Sequence, residues 1–302
     1  MFSIITPTYN RAHTLFRVYD SLISQTDVDF EWIIIDDAST DGTMNLVETW
    51  KLQCSKFKIS YFKLPINKGK PNAINFGLDY CSRPITIIAD SDDSFDKNTI
   101  SDLKTIWNKV NQTLNSEKIA TIWTLVTNEN GQLAGEQFPY NFWQVNFKDR
   151  VLNRKQMVAG EKWHSWRTEV LKKYKMLHSE HSFVGEGASW NQINKDYDFL
   201  CINIIHRTYY KSMDGLIQKE KSRLELEKLK FYYSYYQLYK TSNYDILKYP
   251  FYKKYAFEYL KSLFYYKKRD LSLGIVKTLI LIFPASLSIP SKIKSYLILK
   301  NN

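Results

Sequence analysis

With 302 residues, 44% of them hydrophobic, the chain is long enough for one large domain with an appendage or for two, and apolar enough to form a real core. Its three cysteines, Cys54, Cys81 and Cys201, lie far apart and match no zinc or disulfide spacing, which argues against a cysteine-stapled scaffold. The net charge of +11 belongs to the last third alone: residues 207–302 carry +12 and residues 1–206 carry −1, so the two regions are expected to do different jobs.

In chain order, Met1 leads straight into the apolar run Phe2-Ser-Ile-Ile-Thr6, a buried strand with no basic stretch before it, so a cytosolic, reducing location is expected. Pro7 to Arg11 reads as a loop, and Thr14 to Ser24 carries apolar residues at helical spacing. Glu31 to Ile35 is a second strand running into Asp36-Asp37. Ser39 and Asp41 are N-cap candidates for a helix over Met44 to Lys51. Ile59 to Leu64 and Pro84 to Ala89 are further strands, with a helix over Asn72 to Tyr80 between them. This rhythm predicts a mainly parallel sheet with helices on both faces. Next come a helix over Ile100 to Val110, a strand over Ile119 to Val126 and a polar turn at Asn128-Glu-Asn-Gly131. Trp163, His164 and Trp166 precede a helix over Thr168 to Tyr174. A helix over Trp190 to Tyr197 and a strand over Leu200 to Tyr210 close this part. A break near Ser212 to Gly215 leads into a Lys-, Tyr- and Leu-rich helical region divided by Pro250, Pro284 and Pro290.

Polar residues cluster just past the strand ends: Thr6, Tyr9, Asp36, Asp37, Asp90 and Asp92. In such sheets that edge is the ligand crevice. Asp90-Ser-Asp-Asp93 follows Ile85-Thr-Ile-Ile-Ala89, and carboxylates at i and i+2 can aim oxygen at one hard divalent cation. The same residues would also serve as an acidic turn or a helix cap. Asp36 or Asp37 could accept a hydrogen bond from a nucleobase, or cap the following helix. Tyr9 could stack on a base, or belong to a plain turn.

In this order, these segments resemble the inverting family 2 glycosyltransferases of the GT-A fold, over roughly residues 1–210. The resemblance is densest in Ser3-Ile-Ile-Thr-Pro-Thr-Tyr-Asn10, in Trp32-Ile-Ile-Ile-Asp-Asp-Ala-Ser-Thr-Asp-Gly42, in Asn67-Lys-Gly-Lys-Pro-Asn-Ala-Ile-Asn75 and in Ile88-Ala-Asp-Ser-Asp-Asp93. It implies a GT-A domain over residues 1–212, with a nucleotide-binding half to about residue 100 and an acceptor-binding half beyond it. Residues 213–302 would form a basic, aromatic helical extension. It further implies that Thr6, Pro7, Tyr9 and Arg11 line the nucleotide pocket, and that Asp36 or Asp37 reads the base, commonly uracil. Lys70 and Asn75 would hold nucleotide or diphosphate. Asp90 with Ser91 would contact ribose or metal, and Asp92 would be the principal ligand of Mn²⁺ or Mg²⁺. Many relatives carry Arg between Ala73 and Asn75, where this chain has Ile74; Lys70 would supply that cation.

An inverting transfer needs a base for the acceptor hydroxyl. Phe183-Val-Gly-Glu-Gly-Ala-Ser-Trp190 resembles the element that provides it, with Glu186 in the base position and Gly187 where many relatives have a second carboxylate. Glu186 could equally cap the helix that follows. Trp190, Trp163 and His206 are candidate acceptor, sugar or diphosphate contacts, with core packing as the plainer role.

The last third has amphipathic or apolar segments at residues 253–264 and 271–283. The second, broken by Lys277, is shorter than the ~20 residues that span a bilayer. It fits an interfacial helix on anionic lipid, or a subdomain packed through its apolar face. The expected function is therefore transfer of a sugar from a nucleotide-diphosphate donor to a glycan or lipid-linked acceptor, with the protein peripheral on the inner face of the cell membrane. A nucleotidyltransferase would usually need a Gly-rich loop and a basic residue near the first strand, where only Arg11 stands. A nucleic-acid binder fits poorly, because the basic residues lie in a Leu-rich apolar region; no nucleic-acid partner is expected.

Overall fold

The computed structural model describes residues 1–153, 158–179, 182, 184–211, 222–267 and 269–286. The expected boundary at 212/213, Phe183, Lys268 and the stretch beyond 286 lie outside them. The chain divides into two compact units, one of residues 1–150, 155–176 and 192–219, the other of 151–154, 177–191 and 220–302.

The first unit holds a nine-stranded sheet. Its strands are β1 (Phe2–Thr8), β2 (Phe30–Asp36), β3 (Lys58–Lys63), β4 (Ile85–Ile88), β5 (Ser94–Phe95), β6 (Ile119–Asn128), β7 (Trp143–Val145), β8 (Lys162–Arg167) and β9 (Asp198–Tyr209). The order is β3-β2-β1-β4-β8-β6-β9-β5, with β7 also on β9. The first four strands are parallel, β8 is antiparallel to both neighbours, and β6 and β9 are parallel to each other. Every residue of β1 and β2 is buried, which suits continuous apolar runs covered on both faces. β1 reaches Thr8, so Pro7 and Thr8 belong to the strand rather than to the expected loop.

The helices α1 (Phe16–Ile23), α2 (Thr43–Gln53), α3 (Lys70–Leu78), α4 (Thr99–Asn111) and α5 (Thr168–Lys173) connect these strands. On one face Trp32 of β2 and Tyr19 of α1 stack on Trp50 of α2, at 5.9 and 4.4 Å between ring centroids. On the other face α3 lies close to the sheet through Gly77, where a Cβ would stand 3.0 Å from both Ile5 and Ile35. That close approach brings the start of α3 to the carboxyl edge of the sheet. The cap expected for α2 is shifted. Gly42 holds the cap position, Asp41 accepts from the Thr43 amide, and Ser39 Oγ accepts from the Asn10 amide instead. β8 was not expected as a strand. Trp163 and Trp166 are both buried in it, so the run lacks the polar alternation that marks a one-sided strand.

The second unit contains α7 (Arg223–Leu238), α8 (Asn243–Lys248), α9 (Pro250–Tyr265), α10 (Ile275–Ile280) and α11 (Ile282–Ser286); α6 (Glu186–Asp196) begins in this unit and ends in the first. A Ser222–Glu225 capping box starts α7. Phe231 of α7 stacks on Tyr259 of α9 at 5.4 Å, and Tyr232 donates to Asp270. The buried Glu227 accepts from Lys230 at 3.2 Å and pairs with Lys261 at 3.5 Å, so part of the basic surplus is neutralised inside the unit. Residues 177–191 join this unit through Tyr236 to His178 and Asn191 to Gln237 hydrogen bonds.

Candidate active site

The carboxyl ends of β1, β2 and β4 converge with the start of α3. Asp36 ends β2 fully buried: one carboxylate oxygen accepts from the Ser39 amide at 2.6 Å and the other from the Tyr61 hydroxyl. Asp37 accepts from the Lys68 amide at 3.0 Å and the Gly69 amide at 2.6 Å. Asp37 thus ties down the turn before α3, where Gly69 adopts a φ of 87° that favours glycine. The two aspartates hold the crevice floor and its neighbouring loop in register.

That turn delivers Lys70. Its Nζ lies 2.5 Å from Asp90 Oδ1, immediately past β4. Asp90 Oδ2 accepts from Arg207 of β9 at 3.2 Å, and Arg207 Nε donates to Asp93 at 2.5 Å. Burial opposes the charged form of Asp90, but Lys70 and Arg207 outweigh it and hold the carboxyl below its usual range. Burial pushes Asp93 up to about 7 against the pull of Arg207, with Asp90 and Asp92 adding to the rise. One oxygen of the fully buried Asp93 has no hydrogen-bond partner.

Asp92 differs from both. It is half-buried, and among the described residues its carboxylate accepts no hydrogen bond and forms no ion pair. Burial first, then Asp90, push its pKa up, against the pull of the Arg11, Lys70 and Arg207 charges. The turn therefore presents one carboxylate short of a cation. Among the described residues no three His, Cys, Asp or Glu gather to hold a metal by themselves. An oxygen-only donor of this kind fits Mg²⁺ or Mn²⁺, which keep waters and complete their shell with substrate phosphates.

Residues 3–114, which include every group just described except Arg207, match the family model "Glycosyl transferase family 2". That stretch is similar to the family 2 glycosyl transferases. Poly(ribitol-phosphate) β-N-acetylglucosaminyltransferase TarS of Staphylococcus aureus is 33% identical over 104 residues, 33% of this chain and 18% of TarS. UDP-Glc:α-D-GlcNAc-diphosphoundecaprenol β-1,3-glucosyltransferase WfgD of Escherichia coli is 35% identical over 94 residues, 30% of this chain and 34% of WfgD. The chain thus covers about a fifth to a third of these relatives. The crystal structure of TarS residues 1–349 with UDP-GlcNAc aligns over 97% of this chain and 83% of that one, with a TM-score of 0.62 at 17% identity, which establishes the GT-A fold.

Within this GT-A scaffold the expected site residues separate. Tyr9 is 45% exposed, and the Arg11 charge favours the ionised form of Asp92. Pro7 is buried in β1, and Ser91 is buried, its carbonyl accepting from Thr14. Thr6 is buried and accepts from Trp32 Nε1 at 2.8 Å. Asn75 turns to the Met176 backbone, donating to its carbonyl and accepting from its amide. Ile74 is fully buried, so α3 offers no cation there and Lys70 reaches the acidic turn instead. Trp163 is buried against Phe95 and donates to the Ile88 carbonyl at 3.0 Å. His206 is fully buried with Nε2 3.5 Å from Asp102 of α4, and burial lowers its pKa.

Arg207 is the crevice residue the sequence reading missed. Successive strand residues face opposite ways, so the side chain beside His206 points to Asp90 and Asp93. A lone Arg in an apolar strand was the available signal, since a buried charge needs a carboxylate partner. In the second unit Glu186 opens α6 and Trp190 is buried. Gly185 and Gly187, on either side of Glu186, lie under the ring of Tyr233 of α7.

Proposed function

We propose that the chain is an inverting glycosyltransferase that moves a sugar from a nucleoside-diphosphate sugar, UDP-linked, to a hydroxyl of a glycan or lipid-linked acceptor in surface polysaccharide synthesis. The observation that carries this reading is Asp92, a carboxylate without a cation beside a turn whose other two carboxylates are already paired. TarS, which binds UDP-GlcNAc, and WfgD, whose acceptor is a diphosphoundecaprenol-linked sugar, support the donor and acceptor classes.

In this reading Tyr9 offers its ring to the base, with Pro7, Arg11, Asp36 and Asp37 forming the nucleotide pocket. Lys70 exchanges part of its pairing with Asp90 for the diphosphate. Asp92, beside Asp90 and Ser91, holds Mn²⁺ or Mg²⁺. The cation supplies charge compensation for the departing diphosphate. Glu186 accepts the proton of the acceptor hydroxyl while that oxygen bonds to the anomeric carbon. The bond from that carbon to the diphosphate oxygen breaks, the configuration inverts, and nucleoside diphosphate leaves. Trp190 would support the acceptor side from within its packed position.

We further place the enzyme on the inner face of the membrane through α10 and α11. No helix among the described residues is long and apolar enough to cross a bilayer. Ile275, Val276, Leu279, Ile282 and Phe283 are exposed on these two helices. Lys277 turns inward and donates to the carbonyls of Leu238, Tyr239 and Thr241 after α7. Its charge is thereby removed from the apolar face, and the basic surplus of the last third favours anionic lipid.

Hydrolysis of UDP-, GDP- and dTDP-sugars by the purified protein, with Mn²⁺, Mg²⁺ or EDTA, tests the transfer reading. Slow metal-dependent release of nucleoside diphosphate from one donor, lost in Asp92→Ala, is expected. Release of pyrophosphate from nucleoside triphosphate plus sugar phosphate would point to nucleotidyl transfer instead. Flotation with anionic vesicles, reduced in Ile275→Ser/Leu279→Ser, tests the membrane placement.

A further inference from the structure

We propose that Arg207 is a positioning residue for the cation site: its guanidinium clamps Asp90 and Asp93 together and so fixes the direction in which Asp92, between them, is presented. This rests on the reading of Asp92 as the metal ligand.

Arg207 is tied to the acidic turn twice. Its backbone pairs with Phe95 in β5, the short strand that leaves the turn, and Ser94 pairs with Thr208. Its side chain spans the turn itself, with Nε 2.5 Å from Asp93 Oδ2 and Nη2 3.2 Å from Asp90 Oδ2. Asp93 is fully buried and Arg207 nearly so, which places this pairing where competing water is scarce and its geometry matters most. The turn is closed by an Asp93 amide to Asp90 carbonyl bond at 3.3 Å, and Arg17 donates to the Asp92 carbonyl at 3.1 Å. Together these contacts fix the backbone on both sides of the Asp92 carboxylate. Removing Arg207 would leave three carboxylates in four residues with Lys70 as the near cation, and mutual repulsion would splay them.

The fork is the essential feature. A lysine carries the same charge but concentrates it at one nitrogen, so it cannot hold two carboxylates in fixed relative orientation. Groups that orient a metal ligand from behind typically change metal affinity about 10–100-fold when lost.

The test compares wild type with Arg207→Lys, Asp93→Asn and the double variant. Mn²⁺ affinity is measured by calorimetry in the presence of UDP, amide hydrogen exchange over residues 89–96 without metal, and folding by circular dichroism. The clamp predicts about 10–100-fold weaker Mn²⁺ binding and faster exchange over 89–96 in Arg207→Lys, at retained secondary structure. Asp93→Asn, which keeps the arginine, should move both readouts the same way, and the double variant should be no worse than the more damaging single change. Should Arg207→Lys fail to fold, Asp93→Asn carries the decision. Unchanged Mn²⁺ affinity and exchange in a folded variant would overturn the clamp while the cation site stands. Absence of Mn²⁺ binding in wild type with UDP would overturn the metal reading, and the role of Arg207 with it.

Discussion

The hydroxyl of Tyr233 lies 3.0 Å from the point where a Cβ on Gly187 would stand. The chain therefore has glycine beside Glu186 because an α7 tyrosine fills that volume. In an ordinary helix, Gly→Ala adds roughly 0.5–1 kcal/mol of stability. At Gly187 the added methyl must displace the tyrosine hydroxyl, so Gly187→Ala is expected to lower the unfolding free energy. The next nearest Tyr233 atoms stand at 3.9 Å, an ordinary contact, so in a Tyr233→Phe background the same change should become stabilising. Urea unfolding of the four proteins measures the reversal of sign; equal effects of Gly187→Ala in both backgrounds would remove Tyr233 as the reason for the glycine.

Asp92 carries the opposite kind of strain. A half-buried carboxylate with a raised pKa and no paired cation weakens the fold at neutral pH. Asp92→Asn is expected to abolish metal-dependent donor turnover while leaving the melting temperature unchanged or higher without metal. Thermal melts paired with turnover assays check both halves. A lower melting temperature in the variant would mean that Asp92 serves the fold.

The half-buried Tyr61 donates its hydroxyl to the buried carboxylate of Asp36. Tyr61→Phe should cost about 1–3 kcal/mol, because it leaves that oxygen without its donor. Asp37 acts through the backbone. Asp37→Ala frees the Lys68 and Gly69 amides and should loosen Lys70, seen as weaker UDP binding with a smaller loss of stability. Calorimetry with UDP and chemical unfolding separate the two effects. Equal UDP affinity in Asp37→Ala would detach this loop from nucleotide binding.

Two histidines set a pH dependence. Burial pushes His164 down to about 3, with Arg207, Arg150 and Lys70 adding to it, and burial also lowers His206. Both are thus neutral in the folded chain, whereas an unfolded histidine titrates near 6.5. With the folded pKa below the unfolded one, their contribution is complete above about pH 6.5 and is lost as the pH falls toward the folded value. From pH 7.5 to 5.5 the fold should lose about 1.4 kcal/mol through His164 alone. His164→Phe should remove that part of the decline. An identical decline in the variant would show that His164 is not the titrating group.

Much of the first unit was legible in the sequence, and the reason is periodicity. The continuous apolar runs Phe2–Ile5 and Trp32–Ile35 admit little besides buried parallel strands, and acidic residues directly after them fall at the sheet's carboxyl edge. β5, β7 and β8 were not legible, because two are too short to show a period and the third is buried through its tryptophans.

Among the site residues, the order of the elements by itself placed Asp36, Asp37, Asp90 and Asp92 at the carboxyl edge of the sheet, and the family resemblance added Lys70. Only the tertiary structure decided which side chains serve the crevice and which serve the scaffold. Asn75 went to Met176, 101 residues away, and His206 to Asp102. Arg207 reached Asp93 across 114 residues, and Tyr233 came to cover Gly187. The physical reason is that a strand's alternation assigns opposite faces to neighbouring residues, but which face meets a carboxylate depends on partners distant in the chain.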